Sequence, residues 1–177
     1  MSTSSPPERS LYVVLRRKFY QVTASDLASV SELGDLEKLL RSRKRARRVF
    51  EFTRVGMVDL LEFLKEVSEA PEGYLVKKLS AGNADIIVIF ITDEKLLEKA
   101  IIFCGVASAL KARPSKPKLL GLIRAIEGIK SDEELERWSR SFLEAYKSSR
   151  RREEIRKVAR AFASEYMEEL LGEVGER

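Results

Sequence analysis

The segment "DIIVIFITDEKLLEKAIIFCGVASAL", residues 85–110, leaves this chain the least freedom. Ile86 to Ile91 is an unbroken apolar run of strand length, so both of its faces need cover, which predicts a strand central to a sheet. Thr92, Asp93 and Glu94 then bring an acceptor and negative charge to a helix start, where backbone amides are free. The helix that follows is too apolar to be exposed and is expected to pack across the sheet.

The other segments arrange themselves around that pair. "YLVKKLS" before it is joined by "AGNA", in which Gly82 and Asn83 suit the positive φ angles of a tight antiparallel turn. "LYVVLRRKFYQV" (11–22) is rich in β-branched and aromatic residues and reads as one strand, or as two bending at the arginine pair. Leu27, Val30, Leu33, Leu36, Leu39 and Leu40 follow at helical spacing, as one helix containing Gly34 or as two short ones, with Thr23 as a candidate cap. "ARRVFEFTRV" alternates like a half-buried strand, and Met57, Leu60, Leu61, Leu64 and Val67 share a helical face that ends before Pro71 and Gly73.

Further on, "PSKPKLLGLIRAIEGI" suits a short helix or an extended segment. Ser131 and Glu134 have capping-box spacing ahead of a stripe of Leu135, Trp138, Phe142 and Tyr146. A last helical pattern carries Ile155, Val158, Ala159, Phe162, Tyr166 and Leu170 on one face, with cations early and acids late, against the helix dipole. The expected fold class is α/β: a mixed, largely antiparallel sheet packed with helices, plus a C-terminal helical extension. The expected division is a disordered N-terminal segment, 1–10, an α/β domain, 11–147, and a C-terminal helical extension of the same domain, 148–177.

The chain has 177 residues with no histidine and one cysteine, which removes intrachain disulfides, Cys/His zinc sites and histidine-based triads. Cys104 lies in an apolar helix and reads as a small buried hydrophobe rather than a thiolate. The N-terminus lacks the apolar core of a signal peptide and no run reaches membrane-span length, so a soluble cytoplasmic protein is expected. Charged residues make up 34% of the chain, a richness that resembles proteins of hot environments.

The net charge is +5, and where it clusters matters more than its size. "RSRKRARRVF" (41–50) presents Arg41, Arg43, Lys44, Arg45, Arg47 and Arg48 at the junction of a helix and a strand. Such a run fits phosphate contact by counterion release, or the solvated, dipole-favoured end of a helix. Lys77 and Lys78 in the hairpin are either part of the same stripe or edge-strand charges that block aggregation, and one of the two is expected to face inward. Arg16, Arg17 and Lys18, "KARPSKPK", and Arg150 to Arg152 are further basic clusters. Trp138 and Tyr146 read as packing residues, not base-stacking platforms.

Several of these patterns together resemble a known family. "FYQVTASDLASVSELGDLEKLL", through Gln21, Val22, Asp26, Leu27, Ala28 and Leu33, is similar to the opening of the small tRNA-recruiting, kinase-binding subunit of the KEOPS complex. "RRVFEFTRVGMVDLLEFLKEV", "DIIVIFITDEKLLEKAIIF" and "KLLGLIRAIEGIKSDEELERWSRSFLEAY" resemble that family's later strand–glycine–helix, hydrophobic strand and closing helix. The likeness spans residues 18–147. It departs at Asp59 and Leu60, where the family has a Gln-Ile pair, and at Ser68 to Pro71, where it has a helix-ending glycine.

The resemblance implies a noncatalytic subunit without cofactor or metal. Its partners would be tRNA, including the 3′ CCA end, and the atypical small protein kinase subunit, with no membrane. The threonylcarbamoyl chemistry on adenosine would belong to other subunits. Beside that resemblance the basic run reads as RNA contact, through Arg41, Arg43, Lys44, Arg45, Arg47 and Arg48, with Lys77 and Lys78 joining it if the hairpin lies along the same edge. From the residues alone, a small structural RNA-binding subunit of another nucleoprotein assembly fits as well.

Overall fold

A computed structural model describes residues 10–175. The expected disordered segment, 1–10, lies outside the described residues except for Ser10, which opens the first strand. The elements run β1 (Ser10–Leu15), β2 (Lys18–Thr23), α1 (Ala24–Leu27), α2 (Leu33–Arg41), β3 (Arg47–Glu51), α3 (Met57–Val67), β4 (Tyr74–Ala81) and β5 (Ala84–Ile91). Four longer helices follow: α4 (Glu94–Ala109), α5 (Lys116–Glu127), α6 (Asp132–Lys147) and α7 (Arg151–Tyr166).

The five strands form one sheet in the order β3-β2-β1-β5-β4, and each neighbouring pair is antiparallel. β1, not β5, is therefore the central strand. The expectation for Ile86 to Ile91 fails in position but not in physics. A strand apolar on both faces needs cover above and below, and β5 has it while lying one place from the edge. Ile89 and Ile91 are fully buried in the main core with α4, and Val88 is fully buried on the other face with α2.

Alternation along the strands splits the apolar residues into two cores. Val14, Phe19, Phe50, Ile89 and Ile91 face the helical layer of α3 to α7, while Val13, Leu15, Val22 and Val88 face α1 and α2. The layers are thus helix, sheet, helix, with one helical layer much thicker than the other. α4 runs through the middle of the thick layer, and every residue from Ala100 to Ala107 is buried. That accounts for its nearly uniform apolar composition.

The turns follow the sequence with two exceptions. In the β4–β5 hairpin Ala81 pairs with Ala84, and of the two turn residues only Gly82 takes a positive φ, 67°. In the β1–β2 hairpin the two-residue turn is Arg16-Arg17, with φ of 50° and 65°, a conformation that usually selects Asn and Gly. Thr23 flanks α1, but its hydroxyl donates to the Asp26 carboxylate at 2.8 Å instead of accepting from an amide. By contrast Ser131 Oγ does accept from the Glu134 amide at the start of α6.

Residues 148–175 pack as part of the same body as the sheet. Ala159, Phe162 and Ala163 of α7 are fully buried in the main core, and Phe162 packs edge-on against Trp138. Leu110 and Val174 form a β-bridge, and the Gly175 amide donates to the Ala109 carbonyl at 2.8 Å. No described helix is long and apolar enough to cross a membrane.

Candidate nucleic-acid interface

The 41–48 run is held at both ends by buried apolar side chains. Leu36 and Leu39 fix the end of α2, Ala46 is buried in the same core, and Val49 and Phe50 anchor β3. Between them the Ser42 carbonyl accepts from the amides of Arg45 and Ala46, closing a turn that carries Arg43 and Lys44 at its tip. The cations therefore project from a fixed scaffold, because the intervening small and apolar residues take the buried positions.

These residues have different surroundings. Arg43, Lys44 and Arg48 are exposed and make no ion pair among the described residues. Arg41 Nε donates to the Glu37 carbonyl at 3.3 Å. Arg45 is paired with Asp26 at 3.1 Å, and the Thr23 hydroxyl together with this guanidinium holds the Asp26 carboxyl below the usual range. Arg47 donates to Gln21 Oε1 at 2.8 Å. Arg45 and Arg47 thus tie down β2 and α1, a role that charge counting along the chain does not distinguish from ligand contact.

A bulge sets where the remaining cations point. Phe19 pairs with Phe50 and Tyr20 with Arg48, so Val49 is an extra residue and both Val49 and Phe50 can be buried. Arg48 then stands beside Tyr20, whose hydroxyl pKa is raised by burial and opposed by the Arg48 charge. Arg41 reaches the same place from above. Arg16, Lys18, Tyr20, Glu37 and Arg41 line one cleft of about 110 Å³, in which Arg16 pairs with Glu37 at 2.6 Å.

Arg16 and Lys18 of the first-strand cluster and Arg41 and Arg48 of the 41–48 run, separate in sequence, therefore come together. The left-handed backbone at Arg16 and Arg17 costs on the order of 1 kcal/mol per residue and keeps both exposed side chains at the tip of the turn.

Lys77 and Lys78 do not join this surface. They lie on β4, at the opposite edge of the sheet from β3, about 19 Å away at ~4.8 Å per strand. Nor does either face inward. Both are exposed, on an edge strand that has a neighbour on one side only. Charges there suit an edge strand that must not pair with another chain.

Trp138 and Tyr146 are buried, as their helical stripe requires. Cys104 is fully buried, which pushes its thiol pKa well up and leaves it inert. Among the described residues no group of acids or cysteine is arranged to hold a metal ion. The tyrosine at position 20 and the linkage of residues 16–18 to Arg41 were not legible along the chain, since strand pairing across a bulge creates them. No family model, curated protein or solved structure matches the chain.

Proposed function

We propose that this chain is a noncatalytic, tRNA-binding subunit of a KEOPS-type tRNA modification assembly that also docks on a small atypical kinase. The KEOPS part rests on the resemblance of residues 18–147. The RNA-binding part rests on one observation: Arg41 joins Arg16 and Lys18 around one cleft with Arg48 beside it across from Tyr20, and the exposed Arg43 and Lys44, unpaired among the described residues, follow on the turn between α2 and β3. Phosphate contacts there release counterions, and an exposed guanidinium plane can also stack on an unpaired base.

Arg43→Glu/Lys44→Glu/Arg48→Glu tests this without touching the core. If all three contact phosphate, the slope of log affinity against log salt falls by about 2 to 3, at ~0.7 to 0.9 per contact. Lys77→Glu/Lys78→Glu leaves that slope unchanged if these lysines only guard the β4 edge. An unaltered slope in the triple variant, with unfolding unchanged, overturns the assignment of this surface. Co-purification of the native chain with tRNA and a small kinase-like protein supports the KEOPS reading; co-purification with RNA and other proteins favours a different nucleoprotein assembly.

A further inference from the structure

A second cationic feature lies where β3, α4, α6 and α7 meet. A cleft of about 750 Å³ opens there, lined among others by Glu51, Tyr146, Arg150, Arg151, Arg152, Glu153 and Arg156. That volume is in the range of small-molecule sites. The four arginines outnumber the two glutamates, leaving a surplus of two positive charges. One glutamate is already engaged, since Glu153 pairs with Arg150 at 3.6 Å. Arg152 and Arg156 have no carboxylate partner among the described residues.

Three details make this more than a basic patch. α7 begins at Arg151 with Arg150 in the capping position and no side chain capping its first amides, so the positive end of a helix of 16 residues faces the arginines. Tyr146, only 4% exposed, lines the cleft, and its hydroxyl has the Glu51 carboxylate beside it but outside full hydrogen-bond geometry. Arg151 covers that ring, its guanidinium 4.0 Å from the centroid and its Nε donating to the Tyr146 carbonyl at 2.6 Å. A buried hydroxyl whose neighbouring carboxylate sits outside full hydrogen-bond geometry is costly in a folded protein, so a better-placed acceptor in the cleft is favourable. Burial raises the Tyr146 pKa, opposed by Arg48 and Arg151 and reinforced by the charge of Glu51 and its acceptor oxygens, so the hydroxyl keeps its proton as a donor.

We propose that this cleft binds a phosphomonoester of nucleotide size, its phosphate held by Arg152, Arg156 and the first amides of α7, with the Tyr146 hydroxyl donating once Arg151 swings toward the anion. A phosphomonoester carries about −1.5 to −2 charge near neutral pH, which matches the surplus of the lining better than a carboxylate or a phosphodiester does. Glu51 at the β3 side opposes the anion and sets a limit on affinity. The phosphate can belong to a free nucleotide or to the 5′ end of an RNA.

Calorimetric titration of the full chain with AMP, adenosine and inorganic phosphate tests this, beside RNA oligomers that differ only in a 5′-phosphate or 5′-hydroxyl. AMP should bind and adenosine should not. Arg152→Glu should weaken AMP by at least about tenfold and Glu51→Gln should strengthen it. Tyr146→Phe should weaken binding while leaving thermal stability unchanged or raised, an outcome a purely structural tyrosine would not give. A preference for the 5′-phosphorylated oligomer without AMP binding assigns the site to an RNA terminus.

No binding of AMP together with equal binding of the two oligomers overturns the proposal, as does full AMP affinity in Arg152→Glu. Arg43→Glu/Lys44→Glu, which leaves Arg48 in place, should not change AMP affinity, and this separates failure here from failure of the tRNA surface.

Discussion

Gly105 sits in α4 where that helix meets α6, and replacing it with alanine probes the packing behind the cleft beside Tyr146. A Cβ added at Gly105 would lie 2.4, 2.6 and 2.8 Å from Cδ1, Cε1 and Cγ of Phe142. Ordinary contact begins at 3.4 Å, so the ring must retreat by at least about 1 Å. It has nowhere to go, because Phe142 is fully buried in the main core. Overpacking of this kind costs about 1–3 kcal/mol, and three ring atoms in conflict place this case near the top of that range. Alanine returns up to ~1 kcal/mol through its better helix propensity.

The net expectation is a loss of about 2 kcal/mol, or a Tm lower by about 4–8 °C for a chain of this size. Thermal and urea unfolding followed by circular dichroism measure it. Phe142→Leu in the Gly105→Ala background should cost less than the sum of the two single changes, since the smaller side chain relieves the conflict. A Gly105→Ala protein as stable as the parent, or strictly additive single changes, would refute the argument.

Glu98, on the α4 side facing α6, has its carboxyl pushed up to about 7 by burial and by Glu94, Glu136 and Asp132, with Arg140 opposing. The folded state holds a proton that the unfolded chain releases near 4.5, so this group's stabilisation is complete below 4.5 and is lost as pH rises through 7. Glu98→Gln should therefore be more stable than the parent at pH 8, by about 1–2 kcal/mol after allowance for solvent screening. The two should converge at low pH in parallel urea titrations, and a gap that widens on acidification contradicts this account. Truncation after Ser149 removes Ile155, Ala159, Phe162 and Ala163 from the main core. It should abolish the cooperative unfolding transition seen by calorimetry; a truncated chain that still unfolds sharply would show that α7 is dispensable to the core.

Much of the fold follows from local pattern. The stripe Leu135, Trp138, Phe142 and Tyr146 buries as its spacing requires, and the arginine pair divides 11–22 into two strands. α1 and α2 are the two short helices that the leucine spacing allows, with Asp35 accepting the amides of Ser31 and Glu32 at the start of the second. Position within the sheet was not legible. Covered strands look alike in sequence whether they are first or third from an edge, and so β5 reads as central when β1 is. The C-terminal helix is amphipathic in sequence whether it docks on a partner or, as here, on α4 and α6.

The sequence by itself determined which residues must be buried, where helices start, and that charge concentrates at 16–18, 41–48 and 150–152. It could do so because periodicity, capping and composition act over a few residues. Only the tertiary structure decided that Arg16 and Lys18 join Arg41 and Arg48, that Lys77 and Lys78 stand at the far edge, and that Arg150 to Arg152 surround a cleft beside Tyr146. Those relations depend on strand order, on one bulge at Val49 and on the crossing of α4 with α6, which arise from long-range packing that local sequence does not encode.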